Sequence, residues 1–181
     1  DKMILSRFSP MEDFSFYMMA WVVASGLSRV STPLIQTFSP RFTELISKND
    51  EEELAVQVRI ASQLMSVLVI PPIAFISLLT KPILLIWLGN EITAENTAQI
   101  LQIMILGTMF ICCSFPPVSI LYSRKKLMPV VIVNLICAIF LIPILVFAIN
   151  SYGTFGAAFM WCFYGLVLYF SHHLIGLHGL P

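Results

Sequence analysis

Five apolar stretches, each long enough to cross a membrane as a helix, occupy most of the sequence. They cover residues 14–38, 58–80, 97–121, 128–149 and 154–175. About 20 mostly apolar residues span the hydrocarbon layer as a helix, and a helix satisfies its own backbone hydrogen bonds there. The pattern predicts an all-α integral membrane protein, a polytopic helical bundle with five full transmembrane helices. The apolar residues behind Lys2 indicate the end of a sixth helix, so we read residues 1–181 as a single transmembrane domain from a longer protein.

The composition agrees with a membrane protein and excludes several other classes. The chain is 58% hydrophobic and 11% charged, whereas a soluble domain has about 25% charged residues. Its zero net charge gives no reason to expect nucleic-acid binding. The four cysteines lie inside apolar stretches without metal-ligand spacing, so we expect no metal, cofactor or disulfide. No nucleophile and base pattern or phosphate loop is present, so we expect no enzyme.

Basic residues are concentrated in two of the connections between the apolar stretches. These connections contain Arg41, Lys48, Arg59, Arg124, Lys125 and Lys126, whereas the alternate connections contain only Lys81. Because cytoplasmic loops carry an excess of Lys and Arg, the basic connections are predicted to lie inside. Asp50, followed three residues later by Glu53, is typical of a capping-box start for the next helix.

A cation lies near the middle of the first apolar stretch. Placing Arg29 there costs roughly 2.5–3.5 kcal/mol on insertion scales. Ser25, Ser28, Thr32 and Gln36 recur around it at helical spacing and predict one polar stripe. The other side was expected to be apolar, with Val22, Val23, Val30 and Leu34. Either the stripe lines the path of an anionic substrate, or Arg29 pairs with a carboxylate on a helix elsewhere and holds the bundle together.

Asp1 and Lys2 allow two similar interpretations. They form an ion pair at the outer end of a helix, or they belong to the wall of the same cavity. At the other end of the chain, we expect the histidines of "SHHLIGLHGLP" to lie in an interfacial tail.

Nearly every predicted helix contains a residue that perturbs helical geometry. Proline frees a backbone carbonyl and kinks a helix, so Pro33, Pro71, Pro72 and Pro143 are candidate conformational hinges. Pro116-Pro117 interrupts the third stretch, and Gly165 lies in the fifth. In "YGTFGAA", Gly153, Gly156 and Ala157 have the spacing of closely packed helices.

Several blocks resemble, in order, the second half of a known transporter family. The blocks are "DKMILSRFSPMEDFSFYMMAW", "PLIQTFSPRFTELISKNDEEEL", "ILLIWLGN", "LYSRKKLMPVVIVNL" and "YGTFGAA". They are similar to Wzx-type O-antigen and polysaccharide biosynthesis flippases of the multidrug/oligosaccharidyl-lipid/polysaccharide exporter superfamily. The resemblance runs from Asp1 to about Phe170.

The resemblance implies that the chain is one lobe of a two-lobed transporter in the bacterial inner membrane. Such a protein moves a polyprenyl pyrophosphate-linked oligosaccharide between leaflets by alternating access. Its implied partners are membrane lipids, the missing N-terminal lobe and a coupling cation, either a proton or sodium. Arg29, Ser25, Thr32, Gln36, Lys2 and Asp1 would then form its substrate cavity. The alternatives are a cation-coupled multidrug exporter of the same superfamily and a non-transporting membrane scaffold.

Overall fold

The structure, a computed structural model, describes residues 2–177, and helices occupy nearly all of this range. The helices are α1 (Lys2–Phe8), α2 (Met11–Ser47), α3 (Glu51–Leu78), α4 (Thr80–Leu88), α5 (Glu91–Cys113), α6 (Phe115–Ser123) and α7 (Met128–Leu177). The described range contains no strand. The predicted class, an all-α polytopic membrane protein, is confirmed.

Four helical segments are long and apolar enough to cross a membrane. They are Met11–Ser47, Glu51–Leu78, the α5–α6 pair Glu91–Ser123, and Met128–Gly176 within α7. The last of these folds back on itself at Gly153, where φ is 57° and ψ is −134°. We call residues 128–152 the first arm and residues 154–177 the second arm. Each arm exceeds the roughly 20 residues that a crossing requires.

The glycines around this turn have separate roles. The sequence predicted that Gly153 packs against a neighbouring helix, but a Cβ there would meet no atom within 4 Å. Gly153 instead supplies the positive φ that reverses the chain. Gly156 does pack closely, because a Cβ on it would overlap the carbonyl of Ala148 in the first arm. Ala157 is 1% exposed, so its predicted packing role is confirmed.

The predicted charged connection between the first two spans is mostly helical. α2 runs through Pro40 to Ser47, and only residues 48–50 separate it from α3. Asp50 caps α3, with its side chain accepting a hydrogen bond from the Glu53 amide at 3.1 Å. The Glu53 carboxylate accepts from Gln57 instead, so one half of the predicted capping box is present.

α5 lies at the centre of the bundle, between α2 and α7. Of its most apolar part, taken with α6, 61% is buried, against 17% for α2 and for α7. The backbones of α5 and the second arm are in direct contact where the two helices cross, since a Cβ on Gly165 would overlap the carbonyl of Gly107. Gly165, counted from the sequence among the features that perturb a helix, is instead a packing contact inside a continuous arm.

Ion pairs lie at the two ends of the bundle. At one end, Arg124, which follows α6, forms an ion pair with Glu51 at the start of α3. Glu44 forms ion pairs with Arg41 and Lys48 at the same end. At the other end, Lys81 pairs with Glu95 at 2.5 Å. This hydrogen bond to the carboxylate raises the pKa of the Lys81 ammonium group. The two sets of charges that the sequence separated thus lie apart in the fold, and which end faces the cytoplasm stays a prediction.

The histidines near the end of α7 pack into the bundle. His172 is 3% exposed, and the ring centroid of His173 lies 4.5 Å from that of Tyr169. These two residues therefore belong to α7 rather than to a tail that follows it, their interfacial position stays a prediction, and His178 lies outside the described residues.

Candidate functional site

The predicted polar stripe lies on an exposed face of α2. Arg29, Thr32 and Gln36 are exposed and Ser25 is half-buried. The opposite face packs into the core through Ala20, Ala24 and Ser31, each 1% exposed or less. The helix period therefore places the four predicted residues on one face, and no other part of residues 2–177 covers Arg29, Thr32 or Gln36.

Part of the stripe is satisfied by its own helix. The Ser25 hydroxyl donates to the Val22 carbonyl at 3.1 Å, and the Ser28 hydroxyl donates to the Ser25 carbonyl at 2.7 Å. Arg29, Thr32 and Gln36 have no hydrogen-bond partner in the described part of the chain. A guanidinium, a hydroxyl and an amide are thus available for a ligand within two turns of helix.

The exposed face is broader than the stripe. Val22 and Val30, expected on the packed apolar side, are 50% and 47% exposed. At 100° per residue, Val22 lies beside the stripe, whereas Val30 lies farther round the helix, on the side away from Ala24. The sequence pattern assigned these valines to the core because they are apolar. It does not show which side of α2 other helices cover. The face has a polar edge and an apolar edge.

Lys2 lies at one end of this stripe. Its ammonium nitrogen is 2.9 Å from the centroid of the Trp21 ring, a cation–π contact. Trp21, Ser25 and Arg29 follow one another at four-residue spacing and so form one row. Eight helical residues separate Trp21 from Arg29, which is about 12 Å along the axis. Asp1 lies outside the described residues, so its predicted role in the cavity stays a prediction.

The contact between Lys2 and Trp21 was not predicted from the sequence. The available signal was the place of Trp21 in the same row as Ser25 and Arg29. The contact itself depends on how α1 packs against α2, which the spacing of residues within one helix does not determine.

Carboxylates are absent from the middle of the helices. α2 has no Asp or Glu between Asp13 and Glu44, none occurs from residue 54 to residue 90, and none follows Glu95. Arg29 accordingly has no ion pair within residues 2–177. A carboxylate partner, the alternative interpretation of Arg29, would have to come from outside this range.

The candidate hinge prolines lie inside continuous helices. Pro33 is in α2, Pro71 and Pro72 are in α3, and Pro143 is in the first arm. The carbonyl of Pro33 accepts a hydrogen bond from the Thr37 hydroxyl at 2.8 Å. Pro116-Pro117 differs, because it begins α6 after a break at Ser114. Bending at the four candidate hinges during transport stays a prediction.

Among the described residues, no group of three or more His, Cys, Asp or Glu side chains could hold a metal ion. The free cysteines are buried or half-buried. The chemistry available on the exposed face of α2 is therefore binding by cations and neutral hydrogen-bond donors.

Comparison with known proteins identifies the family. The MatE family model matches residues 2–147, from α1 into the first arm of α7, and includes the whole stripe. No curated protein and no solved structure matches the chain. The match confirms the predicted superfamily and leaves the Wzx type a prediction. Because it covers well over half of the sequence, the chain belongs to the MatE family of membrane transporters, within the multidrug/oligosaccharidyl-lipid/polysaccharide exporter superfamily.

Proposed function

We propose that the protein moves a lipid-linked oligosaccharide across the bacterial inner membrane by alternating access. The observation that carries the proposal is Arg29, exposed in the middle of α2 and without an acidic partner in residues 2–177. The stripe on α2 would contact the pyrophosphate or acidic sugars of the substrate.

The chemistry of the stripe supports an anionic substrate. An arginine in mid-membrane is costly unless an anion or water accompanies it. Its planar guanidinium binds two phosphate oxygens at once, with charge-assisted hydrogen bonds. Thr32 and Gln36 add neutral donors that suit phosphate oxygens or sugar hydroxyls. Lys2 adds a second cation about 12 Å away.

Transport requires more than this surface. In the proposed protein both arms of α7 cross the membrane, and the rest of the longer protein supplies the second lobe. Pro33, Pro71, Pro72 and Pro143 are the positions at which we expect the helices to bend. A coupling proton or sodium ion would bind carboxylates of that other lobe, since the middle of the helices described above contains none.

The family match favours a second candidate, a cation-coupled multidrug exporter. Against a cationic drug stands the charge of Arg29, because like charges repel strongly where the dielectric constant is low. The two candidates predict different cargo for the same surface.

The test uses Arg29→Ala and Arg29→Lys in the full-length protein, expressed in a host that lacks its own flippase. Surface polysaccharide and membrane abundance are measured together. Losing a charge-assisted hydrogen bond of about 1.5–3 kcal/mol predicts at least a tenfold drop in export for Arg29→Ala. Arg29→Lys keeps the positive charge but loses the planar guanidinium that binds two oxygens at once, so we expect an intermediate loss of export.

Arg59→Ala is the matched control, since Arg59 is an exposed arginine of α3 outside the stripe. It should export at nearly the wild-type level. Wild-type polysaccharide from Arg29→Ala at normal abundance would overturn the proposal. Disappearance of only the Arg29 variants from the membrane would instead favour an arginine that holds the bundle together. Protection of the host from cationic drugs, without restored polysaccharide, would favour the multidrug exporter.

A further inference from the structure

A cavity of about 290 Å³ lies between the two arms of α7. Asn134, Ala138 and Leu141 of the first arm face Met160, Trp161 and Tyr164 of the second. The Trp161 indole N–H donates to the Thr108 hydroxyl of α5 at 3.3 Å, which fixes this wall against the centre of the bundle. The cavity therefore has an aromatic wall that α5 holds in place.

The cavity offers almost no free polar atom. The Asn134 side chain donates to the Val130 carbonyl at 2.9 Å and accepts from the Tyr164 hydroxyl at 3.3 Å. The remaining lining residues are mostly apolar. A sugar or a small ion would leave its own polar groups unpaired there, whereas a hydrocarbon chain would not.

A second cavity of about 540 Å³ adjoins the first at Asn134. It is lined by Tyr122, Leu127, Val130, Val131, Asn134 and Leu135, where α6 connects to α7. The two cavities share Asn134 in their walls, and we call them together the α7 groove. It runs from the end of α6 to the space between the arms.

The groove opens on an apolar surface. Val131, Leu135, Ile139 and Phe140 of the first arm are 56–63% exposed, and no described residue covers them. Where no other polypeptide covers it, an apolar face of a membrane-spanning helix contacts lipid hydrocarbon. The acyl chains of membrane lipids are thus the apolar groups that can enter the groove.

Two cations adjoin the groove along the chain. Lys125 and Lys126 are exposed and lie in sequence between the lining residues Tyr122 and Leu127. Neither has an ion pair in residues 2–177, whereas the adjacent Arg124 bonds Glu51. The charge rule predicts that this end faces the cytoplasm, where basic clusters beside a membrane attract anionic lipids.

We infer that the α7 groove binds an anionic phospholipid of the cytoplasmic leaflet. One acyl chain lies between the arms against Trp161, and the phosphate lies at Lys125 and Lys126. The site is separate from the stripe on α2 and does not depend on which substrate the transporter moves.

The test measures lipid binding to the purified, delipidated full-length protein by native mass spectrometry. Phosphatidylglycerol and phosphatidylcholine with identical acyl chains are the probes. We expect the wild type to bind phosphatidylglycerol more tightly. The double variant Lys125→Ala, Lys126→Ala should bind it roughly tenfold more weakly, with phosphatidylcholine unchanged. The control Lys48→Ala, Arg59→Ala removes two cations from the same end of the bundle and should retain the preference.

The acyl-chain position has its own variants. Ala138→Phe fills the groove from its open side and should weaken binding of both lipids. Ile139→Phe, on the neighbouring outward position, should bind as the wild type does. Retention of full phosphatidylglycerol binding by Ala138→Phe, or equal affinity of the wild type for the two lipids, would overturn the inference.

A photo-crosslinking residue at Ile142 identifies the occupant in native membranes without filling the groove. Ile142 lines the groove and is 51% exposed. An adduct with phospholipid supports the inference. An adduct with polypeptide would show that another part of the protein or a second copy covers the groove, and would overturn it.

Discussion

At Gly165 only a hydrogen atom separates the second arm of α7 from the backbone of α5. A Cβ there would overlap the carbonyl of Gly107, while a Cβ on Gly107 would come within 2.7 Å of the Cys162 backbone. Small residues at both crossing positions allow this approach, as is common between membrane helices. Gly26 also lies inside a helix but has open space around it. Close packing therefore requires glycine at residue 165, whereas residue 26 has room for a larger side chain.

We predict that Gly165→Ala destabilises the protein and that Gly26→Ala does not. Overpacking at Gly165 should cost about 1–3 kcal/mol, because the contact is backbone on both sides. Gly26→Ala should gain up to about 1 kcal/mol from helix propensity. Thermal unfolding of the full-length variants in the same detergent, followed by size-exclusion chromatography, measures both. Equal midpoints for the two variants would contradict the close approach.

At the scale of single residues, the helix period predicted which side chains share a face, but not which other helices they contact. Arg29, Ser25, Thr32 and Gln36 share a face because they lie in one continuous helix. The Lys2–Trp21 contact depends on two helices meeting, and the exposure of Val22 and Val30 depends on what covers α2. Spacing within a single helix contains neither kind of information.

Among the helices, α7 shows how one residue sets the path of a long element. Its apolar stretches are nearly continuous in sequence, and the backbone leaves helical geometry at Gly153. Positive φ with ψ near −134° lies outside the left-handed helical region that Asn tolerates. Gly89, which ends α4 with φ 66° and ψ 7°, lies much closer to that region. The sequence predicted a break at "NSYG", because a small polar segment separates two stretches of spanning length.

Gly153→Asn should therefore be far more harmful than Gly89→Asn. The backbone strain at residue 153 should cost about 1–3 kcal/mol, whereas Asn is compatible with the helix end at residue 89. Folded yield in membranes and thermal midpoint in detergent are the measurements. If Gly153→Asn has the same folded yield and thermal midpoint as Gly89→Asn, the chain does not reverse through a positive φ at residue 153.

Other helix ends were less predictable. The stretch "SPRFTELIS" contains proline and charge, yet α2 continues through it to Ser47. Phe42 and Leu45 explain this, since they are 1% and 2% exposed and pack with Leu54, Ala61 and Ile120. A polar stretch thus remains helical because tertiary packing covers one of its faces.

On the scale of the whole bundle, the ion pairs lie in two end layers, and Arg29 is the exception between them. Arg124 and Glu51 join the helices at one end, while Lys81 and Glu95 join them at the other. The apolar middle between these layers is what a bilayer would surround. The sequence predicted this arrangement from the positions of Lys and Arg alone, because insertion depends on composition rather than on contacts between helices.

The two layers should face opposite sides of the membrane. Lys126→Cys and Glu91→Cys, both at exposed positions, are introduced separately into the full-length protein. A maleimide that does not cross membranes should label residue 91 in intact cells, and residue 126 only after permeabilisation. The unsubstituted protein gives the background of its own cysteines. Labelling of both positions from one side would refute the predicted topology.

Arg29 also has an electrical consequence. It is the charged residue deepest within the predicted spans, and carboxylates lie only at the helix ends. Moving one elementary charge across a full 100 mV changes the free energy by about 2.3 kcal/mol. Any tilt or shift of α2 during transport carries part of that charge through the field. The resting potential, negative inside, would then favour the conformation that holds Arg29 nearer the cytoplasm, and depolarisation would weaken that preference.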